Sequence, residues 1–161
     1  MKTTTHEQGK LAESTGAATF GQPQFEIVDL GPFENNGNDV HAINDRGRMA
    51  GVSLNRNTGR IEGFIEEAGE RTPIGTLGGS FSIAQGINND GEVVGGSLTT
   101  EDKAFHAFLF RENQLYDLNL LLEPGARWEL IQALAINNRG EIVGIGSQGG
   151  EDRIVLLKPK S

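Results

Sequence analysis

One short motif, Ile-Asn-x-x-Gly, occurs three times in this chain, and its asparagines are Asn44, Asn88 and Asn137. The first two asparagines lie 44 residues apart and the last two lie 49 apart. A period of about 40–50 residues is what four short strands and their turns occupy in a propeller blade. Because a repeat restricts the fold more than any single residue does, we predict three imperfect copies of one four-stranded β unit.

The strands of each copy can be placed around this motif. An Asn-x-x-Gly segment supplies residues that tolerate positive φ, so it predicts a tight hairpin turn. The strand pairs predicted around the three turns are 40–44 with 48–53, 82–88 with 92–97, and 130–137 with 141–147. A third strand is predicted at 61–66, 106–111 and 153–158, and a fourth at 71–77 and 114–122.

The third copy has no fourth strand at its C-terminal end, whereas a matching segment stands alone before the first copy. This segment, Phe25–Leu30, resembles the fourth strand around Leu115–Leu118. Pairing it with the third copy would cover two open sheet edges. We predict that Phe25–Leu30 completes the sheet of residues 130–158, within one chain or by exchange between chains.

The predicted fold is all-β, with a tail at residues 1–24 that we expect to be disordered and one repeat domain at residues 25–161. Twenty-three glycines against five prolines suit many tight turns and close backbone packing. Propellers close with about 4–8 blades, so three copies fall short. The alternatives are a six-bladed ring made by a homodimer, a three-sheet prism, or a fragment of a longer propeller. We favour the homodimer, because twofold assemblies dominate among oligomers.

Charge and cysteine content exclude several classes of function. The formal net charge of −8 would repel a phosphate backbone, so we expect no nucleic-acid partner. No cysteine is present, so no disulfide framework or thiolate metal site is possible, and we expect no cofactor. No apolar run is long enough for a signal peptide or a membrane span. The sequence as written is therefore expected to be cytoplasmic, with no membrane partner.

Several motifs resemble the HAF repeat family, which is named for a His-Ala-Phe signature. The signature stands here at His106–Phe108, and it is accompanied by Thr76–Ser80, Gly86–Gly91, Val93–Gly95 and the terminal Asp117–Leu121. The resemblance covers residues 25–158, although the first and third copies have Glu62–Phe64 and Arg153–Val155 in place of the signature. It implies a propeller and an extracellular location, and it implies no particular activity.

Three charged residues occupy equivalent places in the copies: Glu62, His106 and Arg153. A pseudo-threefold arrangement would bring an acid, an imidazole and a guanidinium toward one axis, where histidine is suited to proton transfer. These residues are candidates for a catalytic site. The alternative is that each begins a strand and faces solvent or its own copy.

Two further patterns could bind a metal or act as a base. His41 stands near Asp39 and Asp45, but no second histidine follows at a ligand spacing, so the signal for a metal or a general base is weak. The oxygen-rich Asn-Gly turns lack the carboxylate pattern of a helical calcium loop, and we interpret them as hairpin turns. We therefore predict no metal site.

The longest link between copies carries the single tryptophan, Trp128, beside Arg127. An exposed tryptophan could stack on a sugar or anchor a protein partner, whereas a buried one would plug the core. Insertions at one loop position mark a variable and often binding face. We therefore expect a binding or scaffold module that uses Trp128, Arg127 and His106 for a small polar ligand, a glycan or a peptide. The alternative is a small enzyme with a site near His106.

Overall fold

The computed structural model describes residues 21–32 and 38–160, and the predicted disordered tail lies outside these residues up to position 20. The described part is all-β. Its strands are listed here in chain order: β1 Asp39–Ile43, β2 Met49–Asn55, β3 Arg60–Glu67, β4 Glu70–Gly75, β5 Gly78–Ile87, β6 Val93–Thr99, β7 Phe105–Arg111, β8 Gln114–Asp117, β9 Glu129–Ile136, β10 Ile142–Gln148 and β11 Glu151–Leu157. Two short 3-10 turns lie at Thr100–Asp102 and Leu118–Leu121. No helix among the described residues is long and apolar enough to cross a membrane.

The strands form three antiparallel meanders. The first meander is β1–β4, the second is β5–β8, and the third is β9–β11. A single parallel residue pair, Ile61 with Phe81, joins the first two meanders into one eight-stranded sheet, and β9–β11 make a separate three-stranded sheet. The predicted strand pairs around the three Asn-Gly turns are confirmed.

Two apolar cores hold the meanders together. The core between the first and second meanders contains Ala50, Ala84, Val93 and Phe108, and the core between the second and third contains Val94, Ala107, Leu130, Ala133 and Ile142. Consecutive residues of a strand point to opposite faces. Val93 and Val94 therefore enter different cores, and so do Ala107 and Phe108. The second meander is packed on both of its faces.

The three Asn-Gly turns are bonded to one another. In each turn the asparagine Oδ1 accepts two backbone N–H groups, which for Asn88 belong to Asp90 and Glu92 at 3.1 and 3.0 Å. The glycine that closes each turn has φ near +77°, at Gly47, Gly91 and Gly140. Asn44 Nδ2 donates to the Asn88 carbonyl at 2.9 Å, and Asn88 Nδ2 donates to the Asn137 carbonyl at 3.2 Å. The motif therefore builds hairpin turns and also links them.

Two strand predictions are wrong for the single chain. The predicted strand 114–122 stops at Asp117, because the Asp117 carboxylate accepts the Asn119 backbone N–H at 2.9 Å and starts a 3-10 turn. The segment Phe25–Leu30 forms no strand, and the third meander keeps three strands. Its apolar side chains are exposed, at 88% for Phe25 and 93% for Ile27. A strand needs an edge to pair with, and whether a second chain supplies that edge stays a prediction.

Candidate functional site

His106 lies on β7 between two carboxylates. Its Nδ1 donates to Asp117 Oδ2 at 2.7 Å, and its Nε2 lies 3.7 Å from Glu129 Oε1. The His106 and Asp117 side chains are only 22% and 15% exposed. Because an ionised carboxylate is only an acceptor, Asp117 fixes the proton on Nδ1 and orients the ring.

Asp117 connects His106 to the next meander. Its second oxygen, Oδ1, accepts from the Asn119 backbone N–H and from Asn119 Nδ2 at 2.9 and 3.1 Å. The Asn119 side chain in turn accepts the Leu130 N–H at 2.7 Å and donates to the Leu130 carbonyl at 3.0 Å. The histidine, the aspartate and the start of β9 are therefore held in one hydrogen-bonded network.

An open groove of about 520 Å³ lies beside this network. Its polar lining consists of Thr76, Thr99, Thr100, Lys103 and Asp117, and its apolar lining consists of Leu77, Leu115 and Leu120. We call it the threonine groove. Its walls come from the links between β4 and β5 and between β6 and β7, from the end of β6, and from β8 with part of the link after it. The groove therefore lies on the face where the copies differ most in loop length.

Backbone bonds hold these links in place. Thr76 Oγ1 donates to the Gly79 carbonyl at 2.8 Å, and Thr99 Oγ1 accepts the Ala104 N–H at 3.2 Å. Asp102 accepts both the backbone N–H and the hydroxyl of Ser80 at 2.7 Å. These two bonds lower the pKa of Asp102 below its usual value. The residues around the groove are thus positioned before any ligand arrives.

Glu62 and Arg153 do occupy places equivalent to that of His106. The three residues pair with Ser53, Gly146 and Ser97 respectively, each two residues beyond the central glycine of its second strand. The buried Glu62 carboxylate accepts from Asn55 Nδ2 at 3.0 Å and from Thr58 at 3.1 Å, whereas Arg153 donates to Glu151 at 2.6 Å. Within the described residues no contact joins the three side chains, so the structure gives no site made of all three.

His41 meets one of its two candidate partners. Its Nε2 lies 3.3 Å from Asp39 Oδ2, and its Nδ1 lies 2.8 Å from the Ala84 carbonyl oxygen. Asp45 instead accepts from Asn89 Nδ2 at 2.7 Å. In residues 21–32 and 38–160, no three His, Asp or Glu side chains are arranged to hold a metal ion.

Trp128 is half-buried against a glycine of β10. A Cβ at Gly146 would lie 3.2 Å from Trp128 Cε3, so the indole covers this position. The neighbouring Arg127 is exposed, and the next residue, Glu129, is the carboxylate near His106. The structure therefore brings the Trp128 loop to the same end of the molecule as His106, with the indole only partly open to a ligand.

Sequence reasoning missed most of the groove. The β7–β8 hairpin has a two-residue turn with positive φ at Glu112 and Asn113, which is the type I′ geometry. This turn sets Asp117 opposite Phe108. Counting through that turn would have placed Asp117 near His106. Thr76 lies in the HAF-like Thr76–Ser80 segment, but no sequence signal places it beside Thr99 and Thr100, because only the packing brings these segments together.

A second cleft, of about 510 Å³, lies between the second and third meanders at the turn end. Its walls include Leu109, Leu118, Ile136 and Ile142, and a Glu123–Lys160 ion pair lies at its rim. Most of these side chains belong to or border the apolar core. Five charged side chains also line the cleft, but four of them are paired with each other, Glu92 with Arg111 at 3.4 Å and Glu123 with Lys160, so the cleft resembles an opened edge of the core rimmed by ion pairs.

Comparisons with family models, with curated proteins and with solved structures found no match for this chain. The resemblance to the HAF repeats therefore stays a prediction.

Proposed function

We propose that the protein is a binding module that recognises a small polar ligand rich in hydroxyl groups, such as a glycan, in the threonine groove. The observation that carries this proposal is the set of groups in the groove: three threonines, one carboxylate and one ammonium around an apolar floor. Sites for small molecules combine an apolar lining with a few placed polar groups in a volume of about 300–1,000 Å³.

The groove chemistry favours a sugar-like ligand. The hydroxyls of Thr99 and Thr100 can donate and accept, Asp117 only accepts, and Lys103 only donates, whereas Thr76 already donates to Gly79. A ring that carries several hydroxyl groups offers matching donors and acceptors, and its carbon face can rest on Leu77 and Leu115. Asp117 is already held by His106 and Asn119, so binding needs little reordering of this acceptor.

The test is titration calorimetry against a panel of neutral mono- and disaccharides, with Trp128 fluorescence as a second readout, since this is the single tryptophan. Lys103→Ala and Thr100→Ala remove exposed groove groups with little risk to folding. We expect each to weaken binding by about 10-fold, as the loss of one hydrogen bond does. Lys158→Ala, at the other end of the molecule, is the matched control. Equal affinity in all variants would contradict the proposal.

One observation favours a second candidate function, that of a small enzyme. A histidine whose Nδ1 is bonded to a partly buried aspartate resembles a general base with its orienting group. Catalysis would require Glu129 to leave the Nε2 side. A hydrolytic activity that disappears in His106→Ala while the fold is intact, and that survives Lys103→Ala, would support the enzyme over the binding module.

We further infer that the three meanders are propeller-type blades and that two chains form a six-bladed homodimer. The packing of consecutive meanders through two apolar cores supports this architecture, although a three-sheet prism would also contain three packed sheets. Light scattering over a hundredfold concentration range tests it. A mass of twice 17.3 kDa is expected for the ring, and a constant mass of 17.3 kDa would favour the prism.

A further inference from the structure

The outer face of the first meander carries apolar side chains that are exposed, although their equivalents elsewhere are buried. Val40 pairs with the central glycine Gly51 as Ala84 pairs with Gly95. Val40 is 44% exposed and Ile43 is 66% exposed, whereas Ala84 and Ile87 are 0% and 7% exposed in the core against the preceding meander. This face therefore has the character of a surface made to meet a preceding meander.

The outer face of the third meander also carries exposed apolar side chains, but their buried equivalents face a following meander and not a preceding one. Val143 precedes its central glycine as Val94 does, yet it is 39% exposed and Val94 is 0% exposed. On β11, Ile154 and Leu156 are 83% and 53% exposed, and they flank Val155, which pairs with Gly144. Ala107, the residue equivalent to Ile154, is 2% exposed in the core against the following meander. The third meander therefore has the surface that a following meander would cover.

The order of the strands along the chain indicates which strand is missing from the third meander. The fourth strand of each complete meander leads into the first strand of the next one: β4 leads into β5, and β8 leads into β9. The segment Phe25–Leu30 leads into β1. It therefore holds the chain position of a fourth strand in a meander that would lie before the first. The third meander is the one that has only three strands.

We propose that Phe25–Leu30 of one chain is the fourth strand of the third meander of a second copy, and that the outer faces of the two chains pack head to tail. In the single chain the two cores join the first meander to the second and the second to the third. Neither core covers the outer face of the first meander, and the proposal assigns the meander that would cover it to another copy. The eight residues 31–38 reach up to roughly 27 Å when extended, which lets the segment leave its own chain.

The β7–β8 pair predicts the register of this exchange. Tyr116 pairs with Leu109, and Gln114 pairs with Arg111. Aligning Glu26–Leu30 with Gln114–Leu118 places Val28 opposite Leu156, and it places Glu26 opposite Lys158. Asp29 then takes the place of Asp117, so it would lie near Arg153 as Asp117 lies near His106. The register joins apolar residues to apolar residues and acids to bases.

The absence of cysteine makes disulfide trapping a clean test of this register. Residues directly opposite each other in an antiparallel pair lie within the distance that a disulfide spans. A Val28→Cys chain is mixed with a Leu156→Cys chain and oxidised mildly, and peptide mass spectrometry identifies the linked positions. The expected product is a covalent heterodimer joined between positions 28 and 156. Ile27→Cys mixed with Leu156→Cys is the matched control, because residue 27 points to the other face.

Each result of the trapping experiment either supports or contradicts the proposed exchange. Equal trapping by the two mixtures would overturn the register, and homodisulfides alone would overturn the exchange. The double Val28→Cys, Leu156→Cys chain covers closure within one chain, because a linked monomer from it would show that the segment binds its own chain. The proposal extends the six-bladed ring and does not depend on ligand binding. A dimeric mass without the 28–156 link would therefore retain the ring and reject the exchange.

Discussion

Two asparagines of the same motif have different environments in the structure. The Asn88 side chain is 3% exposed, and its Nδ2 donates to Glu92 and to the carbonyl of the next turn. Asn137 forms the same local bonds through Oδ1, but it is exposed, and its Nδ2 reaches only its own Glu141. The motif thus has a local role in each turn and an additional role wherever another turn follows.

Replacing Asn88 by alanine should therefore cost more than replacing Asn137. Asn88→Ala removes a buried side chain, leaves the part-buried N–H groups of Asp90 and Glu92 without their acceptor and breaks the bond to the next turn, for a loss of about 2–3 kcal/mol in the free energy of unfolding. Water can replace the exposed Oδ1 of Asn137, so Asn137→Ala should lose about 1 kcal/mol. Urea unfolding measures both values. Equal losses would show that the bonds between turns contribute little.

The carboxylate of Asp102 gives the groove region a pH dependence. Its pKa is lowered by the Ser80 hydroxyl and the Ser80 backbone N–H, so its folded pKa lies below its unfolded pKa. The stability that it contributes is present above the unfolded value of 3.8 and is lost as pH falls through the folded pKa. Asp102→Asn should lower the Tm at pH 7, and the difference from the unmodified chain should shrink below pH 4.

Asparagine is a suitable replacement, because the residue at 102 has φ +54° and asparagine tolerates this conformation. Glu101→Gln is the control, since Glu101 is exposed and forms an ion pair with the exposed Lys103. A Tm difference that persists unchanged at pH 2 would show that the charge of Asp102 is not what stabilises the link.

The strands were the elements best predicted from the sequence, because their positions follow from the local sequence of the turns. Positive φ at Gly47, Gly91 and Gly140 requires residues that sequence reveals directly, and strand pairing follows outward from each turn. The features that could not be predicted depend on tertiary contacts. The 3-10 turn after Asp117 depends on a side-chain cap, and the groove depends on links from two meanders. Phe25–Leu30 has the residue pattern of a strand, but a strand also needs the edge of a neighbouring strand to pair with, and the pattern alone does not provide one.

The β3–β4 hairpin combines charge and ring contacts in a way that sequence did not indicate. The Arg71 guanidinium carbon lies 3.9 Å from the centroid of the fully buried Phe64 ring, and Arg71 donates twice to Glu66 Oε2 at 3.0 and 2.7 Å. The Glu66 side chain is 10% exposed. One arginine thus covers an aromatic ring and neutralises a largely buried acid on the neighbouring strand.

Arg71→Ala should destabilise the hairpin by about 2 kcal/mol, because it leaves the Glu66 charge without its partner and exposes the ring. Arg71→Met retains an apolar cover for the ring and loses only the charge pairing, so its loss should be smaller. Arg60→Ala, at an exposed arginine on the partner strand β3, should change the free energy by less than about 0.5 kcal/mol. Thermal unfolding of the three variants measures the order, and equal losses in the Ala and Met variants would assign the effect to the ion pair alone.

At the scale of the whole molecule, the stack of meanders ends in two unlike faces. The outer face of the first meander has a buried Phe64 under Arg71 together with the exposed Val40 and Ile43, whereas the third presents Val143, Ile154 and Leu156. Because the two outer faces differ, we expect the first-meander face of one chain to contact the third-meander face of another chain, and not the same face of that chain. Head-to-tail contacts form rings when the rotation closes and filaments when it does not. A chain that contributes three of six blades would close after two copies.

A single charge on the third face should therefore separate the chains. Ile154 is 83% exposed, so Ile154→Asp costs the isolated chain little, whereas in the proposed dimer it places a carboxylate in an apolar interface. We expect the variant to have a mass of 17.3 kDa by light scattering at concentrations where the unmodified chain has twice that mass. Leu120→Asp is a close control, because Leu120 is 82% exposed and lies in the threonine groove, away from both outer faces. If both variants keep the doubled mass, the third face is not the interface. If both lose it, the effect is that of added charge and not of position, and the head-to-tail ring would lose its support.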